Sequence, residues 1–90
     1  MRSYLPRESV HLTPTTSGTL VLLDTRSGRM FQLNPTGATA WNALVVGGGD
    51  VQVAARTLAQ RYGQPYLEVL EDLGLLIHRL VEMSLLETAR

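Results

Sequence analysis

The chain has 90 residues, of which 44% are hydrophobic and 18% charged, with eight Lys and Arg balanced by eight Asp and Glu. That length is one domain, spanning 1–90 and able to bury roughly 60–65% of its unfolded surface, while the balanced charge argues against bulk nucleic acid as a partner. The absence of cysteine excludes disulfides, thiolate chemistry and cysteine-based zinc sites.

All the cations are Arg. The opening run at 1–8, Met1-Arg2-Ser3-Tyr4-Leu5-Pro6-Arg7-Glu8, has no apolar stretch of signal-peptide length. It is expected to be flexible. No segment approaches the ~18 apolar residues of a membrane span. The expectation is a cytoplasmic protein with no membrane partner.

Val10-His11-Leu12-Thr13 alternates and stops at Pro14, which predicts a short strand. Residues 19–23, Thr-Leu-Val-Leu-Leu, are β-prone and nearly all apolar, which predicts a central strand buried on both faces. A turn over 24–28 follows, with Gly28 free to take positive φ. Arg29-Met30-Phe31-Gln32-Leu33 is the returning strand, third in a meander. Asn34-Pro35 then opens a helix as N-cap and first helical residue, with Ala38, Trp41, Leu44 and Val45 at helical spacing. Gly47-Gly48-Gly49 ends it and Asp50 caps the next, whose face is Val51, Ala54, Ala55, Leu58, Ala59 and Tyr62. Gly63 suits a left-handed C-terminal position. A third helix runs from Gln64-Pro65 to about Met83, with core stripe Tyr66, Leu70, Leu73, Ile77, Leu80 and Val81. The predicted fold class is α+β: a three-stranded antiparallel sheet followed by three helices, in a winged helix-turn-helix-like arrangement.

Catalytic constellations are missing. His11 and His78 have no second His at a ligand spacing, so no metal site is predicted. Glu71 and Asp72 are adjacent and do not share a helix face, which makes a poor general acid/base pair. The triple glycine lacks the Lys of a phosphate loop. The expectation is a non-enzyme without catalytic residues or cofactors. Winged helices commonly bind DNA through a basic recognition helix. Here the third helix carries Glu68, Glu71, Asp72 and Glu82 against Arg79 alone, a charge that repels phosphate.

The run Gly28-Arg29-Met30-Phe31-Gln32-Leu33-Asn34-Pro35-Thr36-Gly37-Ala38-Thr39-Ala40-Trp41 resembles the signature of PqqD-like proteins, the RiPP precursor recognition elements. The later run Asp72-Leu73, Leu76-Ile77, Leu80 and Leu85-Leu86 is also similar, with Ser84 standing where the family pattern has Gly. The likeness extends from about Val10 to Leu86. It implies a non-catalytic domain on which the leader segment of a ribosomally made precursor docks as an extra strand beside the third strand, with the third helix as the other wall. Among such proteins the chain is similar to the discrete recognition proteins of split lasso-peptide systems. These work beside a leader peptidase and a macrolactam synthetase on leaders carrying Tyr-x-x-Pro. The alternatives are a winged-helix DNA-binding protein and a PqqD-type chaperone for a quinone-cofactor precursor peptide.

The residues support strand addition independently. The third strand of a meander is an edge with unpaired main-chain groups, and neither Pro nor a bulge glycine interrupts residues 29–33. Phe31 and Leu33 share one face, Met30 and Gln32 the other, and the pattern leaves open which packs inward. An exposed edge also permits a weak or swapped dimer beside the monomer. On the third helix Val69, Leu76 and Met83 widen the apolar stripe to one flank, with Asp72 and Arg79 just beyond. Val69 and Leu76 either complete the core or form a groove wall. The candidate peptide-binding set is Arg29, Met30, Phe31, Gln32, Leu33, Val69, Asp72, Leu73, Leu76 and Arg79. Trp41 is assigned to the core, and Leu75 stands alone on the polar face.

Overall fold

The structure, a computed structural model, describes residues 3–89. Its elements in chain order are β1 (Ser3–Pro6), β2 (Val10–Pro14), β3 (Leu20–Asp24), β4 (Arg29–Leu33), α1 (Pro35–Val46), α2 (Val51–Tyr62), α3 (Tyr66–Glu82) and β5 (Leu86–Ala89). The three expected strands are β2, β3 and β4, paired antiparallel in that order, and the three helices follow as expected.

Two strands lie outside that expectation. Residues 3–6, part of the segment expected to be flexible, form β1 and pair antiparallel with β5, from Ser3 opposite Ala89 to Pro6 opposite Leu86. Met1 and Arg2 of that segment lie outside the described residues. Each strand has only four residues and its partner is at the far end of the chain, so no local periodicity announces either. The Tyr4 N–H also donates to the Gly49 carbonyl at 2.9 Å. Gly49 has φ +86°, and a Cβ there would run into the Tyr4 carbonyl. The triple glycine is therefore a docking point for the N-terminal strand as well as a helix stop.

Local signals placed the other boundaries. Asn34 Oδ1 accepts the Gly37 N–H at 2.7 Å, and Asp50 Oδ1 accepts those of Gln52 and Val53 at 2.9 and 3.2 Å. Gly63 ends α2 at φ 61°. At the end of α3 the Ser84 N–H bonds to the Val81 carbonyl and the Leu85 N–H to the Leu80 carbonyl, at 3.0 and 2.9 Å. This is a Schellman closure, and it puts Ser84 at φ 61°, the conformation glycine adopts without strain. The glycine that the resemblance leads one to expect here thus has a backbone reason, and Ser84 occupies the position at a cost. In the β3–β4 turn Asp24 accepts from the Arg26 N–H and the Ser27 hydroxyl, at 3.2 and 2.9 Å. Hydrogen bonds from the Ser9 and Ser27 side chains hold its carboxyl below the ordinary carboxylate value.

One core joins sheet and helices: Leu20, Leu22 and Leu33 meet Trp41, Leu44, Ala55, Leu73, Ile77 and Leu80. Trp41 is 1% exposed, a core residue as expected. Three expected core residues are exposed. Val45, Tyr62 and Val81 stand at the margins of their helical stripes and remain 42%, 46% and 36% exposed. The central strand is also not buried on both faces. Leu20, Leu22 and Asp24 are buried but Val21 and Leu23 only half-buried, because the helical core covers one side of the sheet.

Hydrogen bonding in the sheet follows from two bonds at its ends. The Thr25 N–H donates to Ser9 and the Thr15 N–H to Thr19, at 2.9 and 3.0 Å. In an antiparallel ladder both main-chain groups of a residue point the same way, alternating along the strand. With the β2–β3 register, residues 19, 21, 23 and 25 therefore face β2, and Leu20, Leu22 and Asp24 face β4. Their partners Leu33, Phe31 and Arg29 turn inward to β3. Met30 and Gln32 consequently direct their N–H and C=O groups outward, along the free edge of β4.

Candidate functional site: the β4 edge and the flank of α3

Side chains on β4 divide as the main chain does. Leu33 is buried at 4% exposure and Phe31 is half-buried against the core, so this pair faces inward. Met30 is 68% exposed and Gln32 exposed, both on the outer face with Val21 and Leu23 of β3. The face that the sequence pattern left open is thus decided by which side of the sheet the helices cover. Arg29 begins the strand and is exposed.

The other wall is α3. The Arg79 guanidinium carbon lies 5.9 Å from the centre of the Phe31 ring, within cation–π range. One turn and more towards the helix start, Val69, Asp72, Leu73 and Leu76 line an open cavity of about 380 Å³. Val69 and Leu76 are half-buried, Leu73 is buried at 4%, and Asp72 is exposed. Val69 and Leu76 therefore do both things the sequence allowed: they pack against the core and present an apolar surface to the cavity.

The opposite side of the cavity comes from residues outside the candidate set. Thr36, Gly37 and Ala40 belong to the first turns of α1, Leu58 and Tyr62 to the end of α2, and Gln64 to the loop before α3. Gly37 matters because a side chain there would press on the helix cap and on the core. A Cβ there would sit 3.3 Å from both Asn34 Oδ1 and a Leu33 methyl. Tyr62, read as core from its helical position, is instead a partly exposed rim. The sequence carried a trace of this, since Tyr62 lies at the last position of its stripe, where a helix face runs out of partners.

These contacts orient the elements. The start of α3 shares the cavity with residues just beyond the C-terminal end of β4, and Arg79, further on, reaches the middle of β4. Helix α3 thus runs antiparallel to β4. Phe31 and Arg79 form the floor midway, and the apolar cavity lies at the C-terminal end of the strand. Leu33 does not line the cavity and lies beneath it in the core.

Charge along the groove is sparse. Among the described residues the one close contact between a basic and an acidic side chain is His78 Nε2 to Glu82 Oε1 at 2.9 Å, on the exposed side of α3. It is an i, i+4 surface pair of small energetic weight. Asp72 and Arg79 have no opposite charge within ion-pair distance among the described residues. No group of three metal-ligating side chains and no helix long and apolar enough to cross a membrane occurs among them.

This architecture has known relatives. Lasso peptide synthetase B1 complexed with the leader peptide has a similar structure, with a TM-score of 0.78 and 26% identity, covering 94% of this chain and 98% of that one. TbiB1 in complex with the TbiA(beta) leader peptide shares the fold at a TM-score of 0.82 and 23% identity, covering 91% of this chain and 93% of that one. No curated protein matches. The model of the family described as Coenzyme PQQ synthesis protein D (PqqD) matches residues 19–86. That span holds the β3–β4 hairpin, all three helices and the Schellman closure at Ser84, and the chain accordingly belongs to the PqqD family, as a PqqD-like RiPP recognition element.

Proposed function

We propose that the protein is a non-catalytic adaptor for the leader segment of a ribosomally made precursor, of the lasso-peptide class. The leader adds as a strand to the β4 edge, between β4 and α3. The observation that carries this reading is the pairing of an open edge with an apolar cavity at its end. Met30 and Gln32 offer two N–H and two C=O groups, enough to hold an extended peptide but not to choose its sequence. Choice comes from side-chain pockets. Val69, Leu73 and Leu76 offer apolar contact, and Asp72 sits at the rim to accept a hydrogen bond from a hydroxyl. An aromatic side chain with a polar tip suits such a lining, which supports a leader of the Tyr-x-x-Pro type. Arg29, Phe31 and Arg79 border the remainder of the groove, with Leu33 as its buried support.

Both similar structures named above are leader-peptide complexes. By that likeness the domain, a single unit over 1–90, presents the bound leader to a leader peptidase and a macrolactam synthetase in the cytoplasm. It acts as a monomer, or as a weak dimer when the β4 edge is empty.

A fluorescence-anisotropy titration tests this. The probe is a labelled lasso-type leader bearing Tyr-x-x-Pro, compared with the same peptide having Tyr and Pro changed to Ala. Saturable binding that is lost in the changed peptide is the expected result. Binding should fall only slightly with salt, whereas a DNA-binding domain shows a steep salt slope with a duplex probe. Failure of both peptides to bind would undo the lasso assignment.

A further inference from the structure

We propose that the groove reads an acidic side chain at one register position of the bound peptide, the position opposite Phe31, with Arg79 as the group that selects it. The inference rests on the strand-addition reading above and deepens it from a class of peptide to a position within the peptide.

The parity of the β4 edge sets the register. Main-chain groups of Met30 and Gln32 point outward, so the peptide residues opposite them form the hydrogen-bonded pairs. In any sheet, residues directly opposite share a face. Peptide residues opposite Met30 and Gln32 therefore send their side chains to the outer face, away from α3. The residue between them, opposite Phe31, sends its side chain inward. There it meets the Phe31 ring and the Arg79 guanidinium 5.9 Å from it.

Arg79 is suited to act on that side chain. Its guanidinium is exposed, is anchored over an aromatic ring, and has no carboxylate partner among the described residues. A planar guanidinium presents several N–H donors in a fork that matches a carboxylate. The flanking inward positions differ. Two residues upstream in an antiparallel peptide, opposite Leu33, the neighbours are the apolar cavity and Asp72, which disfavour an acid. Two residues downstream, opposite Arg29, the Asp24 carboxylate stands directly across from that cation on the same face and offsets it. The groove thus runs from an apolar, acid-rimmed end to the Arg79 guanidinium at its middle. It fits a leader whose apolar anchor precedes its acidic residue, and not the reverse.

The test is a positional scan by fluorescence anisotropy. Labelled synthetic peptides carry Tyr-x-x-Pro followed by an extended Thr/Val segment, and one Glu is walked through that segment residue by residue. Matching walks with Gln and with Lys supply the neutral isostere and the opposite charge. With the wild-type protein, Glu should bind about three- to tenfold tighter than Gln at one position. The positions immediately before and after it should show no preference, because their side chains lie on the other face. In Arg79→Glu, shown to be folded by circular dichroism, Lys should replace Glu as the preferred residue at that same position. A flat Glu/Gln profile with binding intact would overturn the inference and leave strand addition standing, as would a profile unchanged in Arg79→Glu. If no peptide in any walk binds the wild-type protein, the lasso-type leader reading falls and this inference falls with it.

Discussion

The three-stranded sheet has two edges, β2 and β4, and they are built to opposite ends. Along β2 the outward-facing residues are Val10, Leu12 and Pro14, by the same parity that turns Met30 and Gln32 outward on β4. The Val10 N–H is already taken by the Arg7 carbonyl at 3.0 Å, and Pro14 has no N–H to offer. Leu12 is left alone, too little to seat a strand. On β4 neither outward residue is Pro, and among the described residues no hydrogen bond outside the sheet uses Met30 or Gln32. One edge is blunted in the way natural sheets usually are, and the other is left open next to an apolar cavity. An open edge is a liability for aggregation, so its persistence beside a blunted twin points to use.

The largest expected effect comes from reversing this contrast. Gln32→Pro deletes an outward donor on β4 and should weaken leader binding by about 2 kcal/mol or more, counting the lost hydrogen bond and the clash of the ring with an incoming strand. Leu12→Pro makes the equivalent change on β2 and should leave affinity unchanged. Anisotropy titration of the two variants against one labelled leader compares the edges directly. Equal losses in both would mean that the edges are not distinguished.

Next in size is the groove wall that accompanies only the β4 edge. Leu76→Asp places a charge in the apolar cavity beside Asp72 and should reduce leader affinity by at least ~1–2 kcal/mol. Leu76 is only half-buried, so the variant should remain folded. Unchanged affinity in a folded variant would remove Leu76 from the site.

A change remote from both edges separates stability from binding. Ser84→Gly relieves a left-handed backbone at the Schellman closure and should raise stability by about 1 kcal/mol, read as a shift in the urea midpoint. Its leader affinity should match the wild type. A loss of stability would mean that the Ser84 side chain does more than occupy the turn.

The smallest effect belongs to Asp24, at the hairpin end between the two edges. Its folded-state pKa lies below the ordinary 3.8. Its contribution is therefore complete above the unfolded value and is lost as pH falls through the lower folded value. Asp24→Asn should flatten the acid limb of the stability–pH curve below about pH 4, monitored by circular dichroism, without altering affinity at neutral pH.

Much of the molecule was legible before folding because its signals are local. Asn34-Pro35, Asp50 and Gly63 mark helix ends by chemistry that involves only a turn of chain. The β3–β4 hairpin is written in a β-prone apolar run and in the turn that ends at Gly28. The candidate site was half legible. Val69, Asp72, Leu73 and Leu76 share a helix flank that one wheel reveals, whereas the approach of Arg79 to the Phe31 ring depends on which face of the strand turns inward, which the pattern left open. Thr36, Gly37, Ala40, Leu58 and Tyr62 were not seen as lining, because they come from two other helices and become neighbours only when the helices pack.

By itself the sequence determined the three strands of the meander, the three helices, their order and the family, since these depend on short-range periodicity, on caps and on the Leu33–Trp41 signature. Tertiary structure alone decided three things. It paired β1 with β5 and pinned them at Gly49, a contact between residues dozens apart that no local pattern encodes. It chose Phe31 and Leu33 over Met30 and Gln32 as the inward face, because burial depends on which side of the sheet the helices cover. And it turned the main chain of Met30 and Gln32 to the free edge, a matter of ladder register, which a strand acquires only from its neighbour.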